Sequence, residues 1–152
     1  MVEPVSRSMT ISAPADVIFT ILADPRQHVL IDGSGTVKAT IAAPERLSLG
    51  AKFRMRMRLG IPYRITNTVV EFDEGRRMAW RHIMRHTWRY VLEPVELPDG
   101  SLSDAVTRVT ETFDPRTALA PWSLALMKFP RRNTVGIERT LERLKRAAES
   151  RV

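Results

Sequence analysis

From Lys52 to Leu59 the chain alternates without a break. Phe53, Met55, Met57 and Leu59 fall on one side, and Arg54, Arg56 and Arg58 on the other. A period of two is the mark of a strand with one buried face. The same reading gives a first strand over Val5–Ile11, where Met9 and Ile11 alternate with Ser8 and Thr10. The period then changes. Val17, Ile18, Ile21 and Leu22 recur at helical spacing behind Pro14, which predicts a short helix over residues 14–23, broken at Asp24-Pro25. A second short helix, about 25–30, runs into the turn Asp32-Gly33-Ser34-Gly35.

Strands follow in series. They are predicted over Thr36–Ala42, Lys52–Leu59, Tyr63–Asp73, Arg77–Arg85, His86 to about Leu97, and about Ala105–Phe113. The turns between them are Pro44–Gly50, Gly60-Ile61-Pro62, Glu74-Gly75 and Pro98-Asp99-Gly100. Such regular strand–turn spacing indicates one antiparallel meander. The C-terminal part returns to helical spacing: Ile137, Leu141, Leu144 and Ala148 form an apolar stripe, with Arg139, Glu142, Arg143, Lys145 and Arg146 on the other side. Pro130 kinks or starts this helix, and Trp122, Leu126 and Phe129 suggest helical turns before it.

Composition narrows the chemistry. At 152 residues, one domain over 1–152 is the expectation. Cysteine is absent, which removes thiol nucleophiles, disulfides, iron–sulfur clusters and Cys-based zinc sites. His28, His82 and His86 are the only imidazoles. His82 and His86 are four apart on strand and turn rather than on one helical face, so no metal is expected. No cofactor is expected either: Gly33-Ser34-Gly35 is not a dinucleotide loop, and no phosphate loop or nucleophile elbow is present. No apolar run approaches the ~18 residues that cross a bilayer. Met1-Val2-Glu3-Pro4 lacks a basic-then-apolar signal pattern, so a cytoplasmic protein is the expectation.

The order of elements is specific: one strand, two short helices, six further antiparallel strands and a long last helix. It is similar to the α+β helix-grip (Bet v 1-like) fold of the START-like, or SRPBCC, superfamily, which includes the polyketide cyclase/dehydrase family. Local strings resemble that family as well. They are Ile11-Ser12-Ala13-Pro14-Ala15-Asp16-Val17-Ile18-Phe19, Leu22-Ala23-Asp24-Pro25, Ile31-Asp32-Gly33-Ser34-Gly35, Arg76-Arg77-Met78-Ala79-Trp80-Arg81 and Thr107-Arg108-Val109-Thr110-Glu111-Thr112-Phe113. The resemblance implies a curved seven-stranded antiparallel sheet wrapped around the long C-terminal helix, with a cavity for apolar ligands between them. Members include aromatase/cyclases and lipid carriers, so the resemblance alone does not choose an activity.

Period-two bookkeeping assigns faces. The inner face takes Phe53, Met55, Met57, Leu59, Tyr63, Ile65, Asn67, Val69, Met78, Trp80, His82, Met84, Trp88, Tyr90, Leu92, Thr107, Val109, Glu111 and Phe113. It is apolar and rich in Met and aromatic side chains, which suit an irregular core or an irregular ligand. Phe53, Met55, Met57, Asn67, Trp80, Trp88, Val109 and Trp122 are the candidate ligand-binding residues. Two readings follow. In one, a hydrophobic small molecule or lipid is held by a carrier or sensor. In the other, a polyketide cyclase, aromatase or dehydratase works with Glu111 or His82 as base and Tyr90 or Asn67 as donor.

The opposite face carries Arg54, Arg56, Arg58, Arg64, Arg81, Arg85, Arg89 and Arg108, with Glu93 the only obvious acid. The formal net charge is +7. Either acids from loops, termini or a second subunit in a homodimer compensate this face, or it meets an anionic partner. An acidic protein or an anionic membrane surface at Arg54, Arg56 and Arg58 suits it better than nucleic acid, because no recognition helix or stacking motif accompanies the arginines.

Overall fold

The computed structural model describes residues 3–82, 85–116 and 129–152. The elements run β1 (Val5–Ile11), α1 (Ala15–Ala23), α2 (His28–Ile31), β2 (Val37–Ala42), β3 (Lys52–Leu59), β4 (Ile61–Asp73), β5 (Arg77–Arg81), β6 (Thr87–Glu96), β7 (Leu102–Asp114) and α3 (Phe129–Glu149). The seven strands form one antiparallel sheet in the order β1-β7-β6-β5-β4-β3-β2. β2 to β7 are a meander, and β1 closes onto β7. This is the helix-grip arrangement that the element order predicts. Among the described residues, no helix is long and apolar enough to cross a membrane.

The predicted stripe of α3 is the buried one: Ile137, Leu141, Leu144 and Ala148 are all within 1% of full burial. Among the described residues α3 makes its main contacts with β1, β7, α1 and α2. It therefore grips the β1–β7 side of the sheet. The turn after α2 locks it there. Asp32 caps that turn, its carboxylate accepting from the Ser34 and Val37 amides. Gly33 N–H donates to Thr140 Oγ1, and the Asp32 carbonyl accepts from Arg143.

α2 covers His28–Ile31 rather than about 25–30, and three strand boundaries also shift by more than one residue. β4 begins at Ile61, because Gly60 alone, at φ 74°, reverses the chain while Leu59 and Ile61 pair. β5 ends at Arg81 rather than Arg85. Arg85 itself has φ 66°, which no strand residue adopts, so it lies in the connection and not on the sheet face. β7 starts at Leu102, because β6 and β7 pair out to Glu96↔Leu102. Pro94 is tolerated inside β6 because its nitrogen points toward β5, whose pairing has already ended at Arg77↔Val91.

One irregularity changes a face. The β4–β5 register slips between Val69 and Glu71. An extra residue flips every position beyond it. Phe72 consequently turns inward, meeting Phe19 edge-on at 5.4 Å between ring centroids. Glu71 turns outward and receives Arg89 at 2.5 Å and Arg77 at 3.6 Å. Glu93 is therefore not the only acid among the arginines. The bulge supplies a second one, and it neutralises Arg89.

Candidate functional site

β6 and β7 pair Tyr90 directly with Glu111 on the inner face. Tyr90 Oη–H donates to Glu111 Oε1 at 2.7 Å. Both residues are buried, at 3% exposure, between Leu92, Val109 and Phe113 along their own strands. Burial strips water from the carboxyl and favours its neutral form. Desolvation, opposed by the Tyr90 hydrogen bond and helped by the negative charge of Asp32, pushes the Glu111 pKa up to about 8. The same burial, with Glu111 beside it, pushes the Tyr90 phenol well above its ordinary value. At neutral pH the pair is thus mainly a neutral acid and a neutral phenol. Among the described residues, the buried Glu111 Oε2 has no hydrogen-bond partner.

An aromatic cluster adjoins the pair. Trp80 on β5 lies 5.5 Å from Tyr90, 5.7 Å from Phe53 on β3 and 4.8 Å from His28 on α2, stacked on the imidazole at 22°. His28 is fixed from behind, its Nε2–H donating to the Leu22 carbonyl at 2.8 Å. Full burial holds His28 below the usual histidine pKa, so it is neutral at physiological pH and stacks as an apolar ring. Nothing in the pattern around His28 singled it out, since a short helix of four residues gives no periodicity to read.

Most sequence-assigned ligand positions share this face. Phe53, Met55, Met57, Asn67 and Val109 are buried, and Trp80 and Trp88 are half-buried. Trp88 packs on Phe113 at 4.8 Å. Tyr63, at the far end of the face, is 40% exposed. Trp122 and Met84 lie outside the described residues.

His82 pairs with His86. Its Nε2 lies 2.8 Å from Nε2 of His86, so one ring donates to the other and the two share a proton. His86 is buried against Phe113, and desolvation together with the neighbouring imidazole lowers its pKa to about 3. Burial lowers that of His82 as well. β5 ends at Arg81, and the Arg85 amide donates to the His82 carbonyl at 2.8 Å, which sets His86 beside His82. Among the described residues, no three His, Asp or Glu side chains converge to hold a metal ion.

On the outer face Arg54, Arg56, Arg58, Arg64 and Arg108 are exposed, and Arg56 pairs in register with Arg64. Among the described residues these five have no ion-pair partner, in contrast to Arg89 and Arg77.

Comparison with known proteins agrees with this architecture. The family model for polyketide cyclase / dehydrase and lipid transport matches residues 3–149. The uncharacterized protein Rv0088 of Mycobacterium tuberculosis is 43% identical over 145 residues, covering 92% of this chain and 62% of that protein. The chain therefore spans less than two-thirds of the length of this curated relative. Among solved structures, a START superfamily protein from Mycobacterium smegmatis superposes with a TM-score of 0.71 over 99% of this chain and 100% of its own, at 15% identity. A Polyketide_cyc-like protein from Corynebacterium glutamicum gives 0.64 over 96% and 91%, at 18% identity. At such identities the shared feature is the fold.

Proposed function

The chain belongs to the polyketide cyclase/dehydrase and lipid-transport family, and from that premise we propose that it binds a hydrophobic small molecule or lipid against the inner face of its sheet. The observation that carries this reading is the division of labour over that face. α3 is committed to β1, β7, α1 and α2, whereas the inward side chains of β3 to β6 are Phe53, Met55, Met57, Trp80, Trp88 and Tyr90. An apolar wall of this kind, with few polar groups such as the Tyr90–Glu111 pair and Asn67 set into it, suits a ligand that is mostly hydrocarbon. Asn67, Val109 and Trp122 complete the proposed contact set.

The experiment is binding of a neutral apolar fluorophore, followed by emission and by thermal unfolding. A ligand that binds only the folded state raises Tm by mass action, about 2.7 kcal/mol of stabilisation at a hundredfold excess over Kd. Saturable binding near one equivalent, with a rise in Tm, is expected. No binding and no shift would refute the proposal.

A second reading is favoured by one observation, the carboxyl of Glu111 with its pKa near 8 and its hydrogen bond from Tyr90. A group poised near working pH can take and return protons. In that reading the protein is a cyclase- or dehydratase-like enzyme, with Glu111 exchanging the proton and Tyr90 holding the carboxyl in place. His82 then works beside His86, its hydrogen-bond partner. Turnover that survives Glu111→Gln would remove this reading and leave the first intact.

A further inference from the structure

Among the described residues, Glu111 keeps one oxygen without a hydrogen-bond partner. Tyr90 occupies Oε1, while Oε2 is buried, unpartnered and part of a residue only 3% exposed. An unpaired buried polar atom is costly, so folded proteins rarely keep one without use. The chemistry of the vacancy can be read from the bond already made. Because Tyr90 donates to Oε1, that oxygen plays the carbonyl part, and in the neutral acid the hydroxyl hydrogen sits on Oε2. The pair thus offers one hydrogen-bond donor to the apolar face and lacks an acceptor for it.

We propose that the ligand supplies the missing acceptor: it is an apolar molecule carrying an uncharged oxygen, as in a ketone, ester or alcohol, which Glu111 Oε2–H binds, and free carboxylates are turned away. This inference rests on the apolar-ligand reading above and specifies it. A carboxylate would bring a full charge into a dry wall, where it is costly without a cation. The described groups around Glu111 supply none. From β6 it meets Tyr90, and from the turn after α2 it feels the negative charge of Asp32. Its register partner on β1 is Arg7, whose guanidinium is held by Glu138 of α3 and the Ser6 carbonyl. An uncharged oxygen needs no such cation and satisfies both partners.

The test is displacement of N-phenylnaphthylamine from the full chain by three compounds of equal carbon number: decane, methyl octyl ketone and decanoate. One added hydrogen bond is worth roughly tenfold in affinity. The ketone is expected to displace the probe about tenfold better than decane at about pH 6, and decanoate worst of the three. Glu111→Leu should reduce the ketone to the level of decane. Glu111→Gln keeps an N–H donor, so it should retain the ketone preference. Raising the pH to about 9 ionises Glu111 and removes its donor, so the preference should fade in the native chain and persist in Glu111→Gln. Decanoate binding as well as the ketone, or a ketone no better than decane, overturns the inference and leaves apolar binding standing. A probe that does not bind at all overturns both. If Glu111→Leu fails to fold, the contrast in pH profile between the native chain and Glu111→Gln decides.

Discussion

Gly33 and Thr140 touch through backbone. A Cβ at Gly33 would lie 2.4 Å from the Thr140 nitrogen and 2.6 Å from the Gly136 carbonyl oxygen, and the Gly33 amide donates to Thr140 Oγ1 at 2.8 Å. The obstructing atoms are main-chain atoms of α3, which cannot swing aside as a flexible side-chain tip would. The glycine is needed here for space, since its Cβ position is already filled.

Gly33→Ala should therefore loosen α3 from the turn after α2. Overpacking of this kind costs typically 1–3 kcal/mol. At about 2–4 °C per kcal/mol for a chain of this size, Tm should fall by several degrees. Thr140→Val keeps the shape and removes the acceptor, leaving a buried amide unpaired at about 1–3 kcal/mol. Thermal unfolding of both variants checks this, and a Gly33→Ala chain as stable as the parent would contradict the close approach.

Glu111 and the histidines predict the pH dependence of stability, with opposite signs. The folded pKa of Glu111 lies near 8, above its unfolded value near 4.5. Between those values the folded state holds a proton that the unfolded state has lost, so this contribution is full below 4.5 and declines as pH rises through 8. His86 is the reverse. Its folded pKa near 3 lies below 6.5, so its contribution is full above 6.5 and is lost as pH falls toward 3; burial of His28 and His82 acts in the same direction. Stability should rise toward about pH 6.5 and fall from there to about pH 8, with a limiting slope near 1.4 kcal/mol per pH unit for one proton. Glu111→Gln should abolish the alkaline fall and steepen the acid limb between about pH 4.5 and 6.5, where Glu111 opposes the histidines. Urea unfolding across pH 5 to 9 measures both limbs.

The fold was legible wherever a local period survives into the tertiary structure. β3 alternates strictly, and Phe53, Met55 and Met57 are buried while Arg54, Arg56 and Arg58 are exposed. The stripe of α3 is equally direct, because 3.6-residue spacing and burial are one observation. The failures lie where one residue breaks the count. The slip between Val69 and Glu71 puts Phe72 in and Glu71 out, and no residue type in Val69-Val70-Glu71 announces it. Arg85 adopts a left-handed conformation in the connection after β5, although nothing in its side chain favours one. Of the candidate site, the pairing of Tyr90 with Glu111 required only two registers to be right. The stacking of His28 under Trp80 joins a short helix to a distant strand, and such long-range contacts leave no local trace.

Glu71 is the acid that the bulge delivers to the outer face, and its removal should be felt by two arginines. Arg89 bonds it through Nε and Nη2, and all three charged groups are at least partly exposed. Pairs open to solvent are worth about 0.2–1 kcal/mol, and the two Arg89 donors converging on one partly buried Glu71 oxygen place this one at the upper end. Glu71→Gln should cost about 1 kcal/mol at low salt and less in high salt. A loss that ignores ionic strength would assign it to packing in the bulge rather than to charge.

The remaining arginines bear on a partner. Arg54, Arg56, Arg58 and Arg64 project from adjacent strands, and Arg56 faces Arg64 in register without an acid between them. Like charges directly opposite each other on a sheet repel, so this face carries a stability cost in the isolated chain. An anionic lipid surface would relieve it, and juxtaposed basic side chains gain about 1 kcal/mol each near such a surface. Replacing Arg54 and Arg56 together by Ser should then weaken binding to vesicles rich in phosphatidylserine by roughly thirtyfold, while leaving the melting temperature unchanged or slightly raised. Binding by the native chain should fall steeply between low and physiological salt, as the screening length shortens to about 8 Å. Sedimentation with neutral and anionic vesicles separates the outcomes: retention on both kinds, insensitive to salt and to the paired substitution, would exclude the arginine face as the docking surface, and retention on an acidic protein but on neither vesicle would transfer the role to a protein partner.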